Sequence, residues 1–90
     1  MHRYLIEREL PGAGRLSPDE LQAIAARSNE VLAGMGGRAQ WVESFVTDDA
    51  IVCHYLADSP ESVREHAACG GFPVTEVRRI GTVLDPVTAG

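Results

Sequence analysis

The chain has 90 residues, of which 44% are hydrophobic and 23% are charged, and its formal net charge is −5. Such a length makes one small domain, and the acidic balance argues against nucleic-acid binding, which depends on basic surfaces. No run approaches the roughly 18 apolar residues of a membrane helix, the first ten residues are too charged for a signal peptide, and two cysteines cannot build a disulfide framework. These features predict a cytoplasmic protein that binds neither membranes nor nucleic acid.

The first third of the chain predicts a strand followed by a helix. Residues 3–9 alternate, and Pro11 among glycines ends the strand. The segment Ser17-Pro18-Asp19-Glu20 combines an N-cap, a proline at the first helical position and a glutamate three residues after the cap. Apolar positions then recur at helical spacing as far as the Gly36-Gly37 stop, at Leu21, Ile24, Ala25, Ser28, Val31, Leu32 and Met35.

Residues 40–57 predict a β-hairpin with its turn at 48–50. A three-residue loop sets Phe45 opposite Cys53 and Glu43 opposite Tyr55. One face then carries Trp41, Glu43, Phe45, Ile51, Cys53 and Tyr55, and the other carries Val42, Ser44, Val46, Val52, His54 and Leu56. Both faces are largely apolar, whereas a sheet with one face in water alternates cleanly. Each face of the sheet therefore needs a cover.

The last third predicts a second helix and a fourth strand. Ser59-Pro60-Glu61 repeats the helix-start signal, the inner stripe is Val63, His66, Ala67 and Gly70, and Gly70-Gly71 ends the helix. A strand follows over about 74–83, with a bulge expected near Gly81 because the alternation is imperfect there. The order βαββαβ predicts an α+β, ferredoxin-like fold, in which a four-stranded antiparallel sheet carries both helices on one face. Residues 1–85 form this single domain, and residues 86–90 form a tail.

The helices leave one sheet face uncovered, and residue type predicts which. The aliphatic face with Val52 and Leu56 suits the helices, which leaves the face of Trp41, Phe45 and Tyr55 open. An exposed apolar patch of this kind marks an interface. The sequence therefore predicts a homodimer in which two sheets face each other, as in a dimeric α/β barrel. The alternative is a monomer with an aromatic surface.

Four segments carry a family resemblance: WVESFVTDD at 41–49, CHY at 53–55, SPESVREHA at 59–67 and GFP at 71–73. Together they resemble a family of small bacterial proteins of unknown function that includes a nickel-binding, nickel-responsive protein. The resemblance implies a ferredoxin-like fold, a homodimer, and nickel as a bound ion. Ala50 and His54 stand where the family usually has a lysine and an aliphatic residue.

On the predicted faces, the candidate metal ligands form two clusters. The first lies on the uncovered face and contains Glu7, Glu43 and Cys53, beside Tyr55. The second lies on the helix side and pairs His54 with His66. Carboxylate, thiolate and imidazole groups are ligands for Ni²⁺ or Zn²⁺, and a two-fold axis would present each of them twice. The alternatives are carboxylates in water or paired with arginine, an inert core cysteine, and histidines with structural hydrogen bonds.

No phosphate loop, C-x-x-C or G-x-S-x-G motif is present. The sequence therefore predicts a small dimeric binding protein without catalytic residues, whose ligand is a divalent metal ion, nickel first, or a small molecule. The alternative is a cofactor-independent oxygenase or isomerase of the dimeric α/β-barrel type. Such an enzyme needs a pocket between the helices and the sheet, lined by His54, His66 and Tyr4. A third alternative is an interaction module with no small ligand.

Overall fold

The computed structural model describes residues 1–90 as a four-stranded antiparallel sheet with two helices. The strands are β1 (His2–Glu9), β2 (Ala39–Val46), β3 (Ala50–Ala57) and β4 (Glu76–Ile80), and the helices are α1 (Pro18–Ala33) and α2 (Pro60–Gly70). The spatial order is β2-β3-β1-β4, so β1 and β3 are central. This is the predicted ferredoxin-like βαββαβ fold, with both helices on one face of the sheet.

Both helices begin at the residues that the sequence indicates. The Ser17 hydroxyl accepts from the backbone N–H of Glu20, whose carboxylate accepts from the Ser17 N–H, which completes the capping box. The Ser59 hydroxyl accepts in the same way from the N–H of Ser62. Gly71 ends α2 with a φ of 70°, in the left-handed region that favours glycine. The starts of both helices and the end of α2 are therefore determined by interactions within a few residues of the chain.

The hairpin register differs from the predicted one by one residue. Val46 pairs with Ile51, Phe45 with Val52, and Glu43 with His54. A bulge at Val42 then restores the phase, so that Trp41 pairs with Tyr55. A one-residue slip moves every side chain of a strand to the other face. The predicted pairs Phe45–Cys53 and Glu43–Tyr55 were therefore wrong.

The helices cover the face that the sequence analysis left open. Ile51, Cys53 and Tyr55 of β3 are buried beneath them, together with Tyr4 and Ile6 of β1. The opposite face presents Val52, His54 and Leu56, with Glu43 and Phe45 from β2. The rule that aliphatic residues choose the helix side was wrong here, because both faces of β3 are apolar and residue type alone does not show which of them the helices cover.

The chain beyond β4 contributes little to the core. The last strand ends at Ile80, short of the predicted 83, and no bulge forms at Gly81. A short 3₁₀ helix at Pro86–Ala89 is capped by Asp85, and all residues from 81 onward are exposed. None of the helices has the length and hydrophobicity that crossing a bilayer requires.

Candidate functional site

The open face of the sheet is built from transverse rows of side chains. One row joins Glu43, His54 and Leu5 across β2, β3 and β1, and it ends at Arg78 of β4. The neighbouring row joins Phe45, Val52, Glu7 and Glu76 in the same order. Charged groups and apolar groups therefore lie side by side on this face.

Glu43 and His54 are the two strong metal ligands that the register places next to each other. They are direct cross-strand partners, a position in which Cβ atoms lie about 4.5–5.5 Å apart. His54 Nε2 lies 3.1 Å from Arg3 Nη1. Because a guanidinium can only donate, Nε2 is the acceptor in this contact, which places the ring N–H on Nδ1. The lone pair of Nε2 is therefore engaged by Arg3, and a metal ion at His54 would have to displace this contact.

The same face exposes a substantial apolar side chain. Phe45 is 56% exposed, and it belongs to the edge strand β2 rather than to a loop. Val52 opposite it is half-buried, as are Leu5 and Leu56, which lie one and two cross-strand rows further along the sheet. Contiguous apolar surface on a small protein is characteristic of interaction sites.

The structure separates the predicted metal ligands by face. Glu7, Glu43 and His54 lie on the open face, whereas Cys53 and His66 lie beneath the helices. The two predicted clusters are therefore not the groupings that the fold makes: Cys53 is on the other side of the sheet from the glutamates, and His54 is on the other side from His66. No group of three or more His, Cys, Asp or Glu side chains is placed to hold a metal ion within one chain.

The helix side contains a cavity of about 500 Å³ between α1, the end of α2 and the sheet. Its walls are mainly apolar and include Ile24 of α1, Ile51 of β3, Trp41 of β2 and Phe72. Ligand pockets in proteins typically measure roughly 300–1,000 Å³ and have a few polar groups in apolar walls. The cavity has the dimensions of a small-molecule site.

Arg8 is the charged residue on the wall of this cavity that the fold buries most completely. It is 4% exposed, and its Nε donates to Cys53 Sγ at 3.4 Å while its Nη1 donates to the Pro73 carbonyl at 2.8 Å. Its Cζ lies 5.5 Å from the centre of the Phe72 ring, within the range of a cation–π contact. No carboxylate forms an ion pair with it.

A hydrogen-bond chain runs from the cavity wall into the core. Tyr55 Oη lies 3.1 Å from Ser28 Oγ, and Ser28 Oγ lies 3.0 Å from His66 Nε2. Burial, with the nearby Arg8 guanidinium, lowers the pKa of His66 to about 4, so the ring is neutral at pH 7. Burial likewise raises the pKa of Tyr55, partly offset by its contacts with Ser28 and Arg8.

The tautomer of His66 follows from its second nitrogen. Nδ1 is buried and has no hydrogen-bond partner. A buried N–H without an acceptor is rarer than a lone pair without a donor, so the proton belongs on Nε2. His66 then donates to Ser28. The Ser28 hydroxyl can in turn donate to Tyr55, and in that arrangement the Tyr55 proton stays free to donate.

The predicted enzyme pocket is only partly realised. A cavity does lie between helices and sheet, but His54 is on the opposite face and Tyr4 belongs to the core rather than the cavity wall. His66 reaches the cavity through Ser28 and Tyr55.

Sequence reasoning missed Arg8 and the polar role of Ser28. The available signal for Arg8 was its phase in β1, because it shares its parity with the buried Tyr4 and Ile6.

Comparisons with known proteins agree with this architecture. The crystal structure of SCO4226 from Streptomyces coelicolor A3(2) superimposes with a TM-score of 0.77 at 13% sequence identity, covering 91% of this chain and 99% of that one. At this identity the match shows the fold alone. No curated protein sequence matches the chain with significance. The family model described as "Nickel responsive protein SCO4226-like" matches residues 4–80. The chain therefore belongs to the SCO4226-like family of nickel responsive proteins.

Proposed function

We propose that this protein is a homodimeric metal-binding protein that holds a divalent cation, nickel first, between the open sheet faces of two copies. The observation that carries the proposal is the cross-strand pair of Glu43 and His54 on an otherwise partly apolar face. The family description supplies the ion, since its members are described as nickel responsive.

The donor set fits a shared site better than a site within one chain. One chain offers a single carboxylate and a single imidazole at this place, and no third ligand group joins them. A two-fold axis near the pair would double it to two carboxylates and two imidazoles. Nitrogen and oxygen donors of this kind suit Ni²⁺, which stands high in the affinity order of divalent ions. Glu7, in the adjacent row, would lie at the edge of such a site.

The apolar part of the face supports the dimer. Phe45, Val52 and Leu56 would be removed from water when two open faces meet. The carboxylates of Glu43 would be costly in that interior without a counter-charge, and a divalent cation supplies one. Binding of the metal and formation of the interface would therefore stabilise each other.

Cys53 and Cys69 are both free thiols, which suits a reducing, cytoplasmic environment.

Calorimetric titration of the purified, tag-free protein with Ni²⁺ tests the proposal. We expect saturable binding with one ion for every two chains, and we expect the His54→Ala and Glu43→Gln variants each to weaken it at least about tenfold, because each removes two of four ligands. Glu30→Gln is the matched control, since Glu30 is exposed on α1 and far from the open face.

The proposal fails if wild-type protein has no saturable site tighter than millimolar. It also fails if the double variant of Glu43 and His54 binds Ni²⁺ as well as the Glu30→Gln control does.

A further inference from the structure

We propose that the cavity under α1 is a binding site for an apolar monocarboxylate, whose carboxylate is held by Arg8 and Tyr55 and whose body fills the apolar walls. This site is on the other side of the sheet from Glu43 and His54. It does not depend on the metal proposal, and each can fail without the other.

The first argument is an unneutralised buried charge. Arg8 is 4% exposed, and its two hydrogen-bond acceptors, Cys53 Sγ and the Pro73 carbonyl, are both uncharged. Burying a guanidinium without an anion carries a penalty of several kcal/mol in general. The exposed Arg38 and Arg78, in contrast, both pair with glutamates. The chain thus leaves its most buried cation without a counter-ion, on the wall of a cavity that can admit one.

The second argument is the pair of donors that face the cavity. The hydrogen bonds of Arg8 to Cys53 and Pro73 use Nε and Nη1, which leaves Nη2 to donate to a ligand, and the Tyr55 hydroxyl can donate as well when it accepts from Ser28. Both residues line the cavity. A carboxylate can accept from a guanidinium and a phenol at once, and bonds of this charge-assisted kind are about twice as strong as neutral ones.

The apolar walls of the cavity favour a carboxylate with a hydrocarbon body over an inorganic anion. Beyond these polar groups the cavity is lined largely by aliphatic and aromatic side chains, among them Leu21, Ile24 and Ile51. Inorganic phosphate would lose its hydration there without replacement donors. A carboxylate on a hydrocarbon body satisfies both the two donors and the apolar walls.

Octanoate is a suitable probe, with octan-1-ol as its uncharged counterpart of the same chain length. We expect calorimetry to give one saturable octanoate site per chain and an affinity for octan-1-ol at least about tenfold weaker, as the loss of a charge-assisted contact implies. Trp41, the single tryptophan, lines the cavity, so its emission should shift as octanoate fills the space. Inorganic phosphate should not compete.

Variants distinguish the contribution of the Arg8 charge from that of the apolar cavity volume. Arg8→Met should weaken octanoate binding at least about tenfold and leave octan-1-ol binding nearly unchanged, whereas Arg78→Met, on the open face, should alter neither. Tyr55→Phe should weaken octanoate alone, by several-fold. Ala25→Phe, which fills the cavity from α1, should weaken both probes and leave Ni²⁺ binding unchanged.

Three results would each overturn the proposal. They are equal affinity for octanoate and octan-1-ol, no saturable octanoate site at all, and full octanoate binding by Arg8→Met. If Arg8→Met does not fold, judged by circular dichroism, Tyr55→Phe and Ala25→Phe decide the matter, and unchanged octanoate binding in both would refute it.

Discussion

Arg3 and Arg8 belong to the same strand, and strand alternation gives them opposite environments. Arg3 is exposed and donates to His54 on the open face, while Arg8 is buried beside Tyr55 and Cys53. One arginine therefore fixes the state of a proposed metal ligand, and the other supplies the charge of the internal cavity. The two arginines differ in role because odd and even positions of β1 face opposite sides of the sheet.

The Arg3 contact makes a testable statement about the metal site. Arg3 occupies the His54 lone pair that a metal would use, and its charge repels a cation. We expect Arg3→Met to tighten Ni²⁺ binding by several-fold, in line with a hydrogen bond worth about 0.5–1.5 kcal/mol net. Calorimetric titration measures the change.

Arg78→Met is the control for charge alone, because Arg78 lies in the His54 row but pairs with Glu76. An equal gain in both variants would show that the Arg3–His54 hydrogen bond is irrelevant to the metal.

His66 makes stability depend on pH. Its folded-state pKa of about 4 lies below the ordinary 6.5, so the unfolded chain binds the proton more readily. The stabilisation is complete above pH 6.5 and is lost as the pH falls towards 4. We expect this residue to remove about 2 kcal/mol of unfolding free energy between pH 7 and pH 4.5, measured by urea unfolding.

His66→Gln should flatten this loss, whereas His2→Gln should leave it intact because His2 is exposed. If the unfolding free energies of wild type and His66→Gln fall in parallel with decreasing pH, His66 is not the source of the pH dependence.

Periodicity predicted that His66 faces inward, and it does, but no sequence pattern predicted its partner. Ser28 lies 38 residues away on another helix, and its contact with His66 depends on how α1 and α2 pack. A single sequence shows which face of an element is buried but not which side chain lies opposite.

The elements show where local signals suffice and where they fail. Both helix starts and the Gly71 stop were predictable, because caps act through hydrogen bonds within a few residues. The hairpin register was not, because the turn is one residue shorter than predicted: the Thr47 N–H donates to the Ala50 carbonyl, so the connection is centred on Asp48 and Asp49. The bulge at Val42, which restores the phase, has no distinctive residue to predict it. The wrong register placed Glu43 on the face of Cys53, and the separate error about which face the helices cover paired His54 with His66.

The end of α2 provides a prediction at this scale. An added Cβ at Gly70 would collide with the Phe72 ring, which stacks on His66 at 5.3 Å between centroids. We expect Gly70→Ala to displace Phe72 and cost about 1–3 kcal/mol of stability, as overpacking generally does. Thermal or urea unfolding gives the value.

Gly34→Ala is the matched control at the end of α1. Gly34 has a helical backbone, and its nearest neighbour to a Cβ is the Val31 carbonyl at 3.6 Å, so this variant should be neutral or stabilising by about 0.5 kcal/mol. A Gly70→Ala protein as stable as Gly34→Ala would contradict the packing described here.

At the scale of the whole molecule, the open face is the feature that the single chain leaves unexplained. Phe45 is 56% exposed there, so a change at this position should spare the fold and break the proposed dimer. We expect Phe45→Lys to yield a folded monomer by light scattering, because a lysine charge would be buried in the proposed interface in place of an apolar ring. Leu84→Lys, which is 83% exposed outside the sheet, should leave the assembly unchanged.

If both proposals hold, the two faces of one sheet carry two binding sites: a metal site between two copies of the chain, and a carboxylate site within each copy. The sheet itself would be the common wall, with His54 on one side and Cys53 on the other at adjacent positions of β3.

Native mass spectrometry of the protein with Ni²⁺ tests the shared metal site most directly, since it reports chain number and bound metal together. The account predicts a species of twice the 9.7 kDa chain mass that carries one nickel ion and loses it in the double variant of Glu43→Gln and His54→Ala. A single chain that holds nickel by itself, or a dimer whose nickel survives both substitutions, would contradict it.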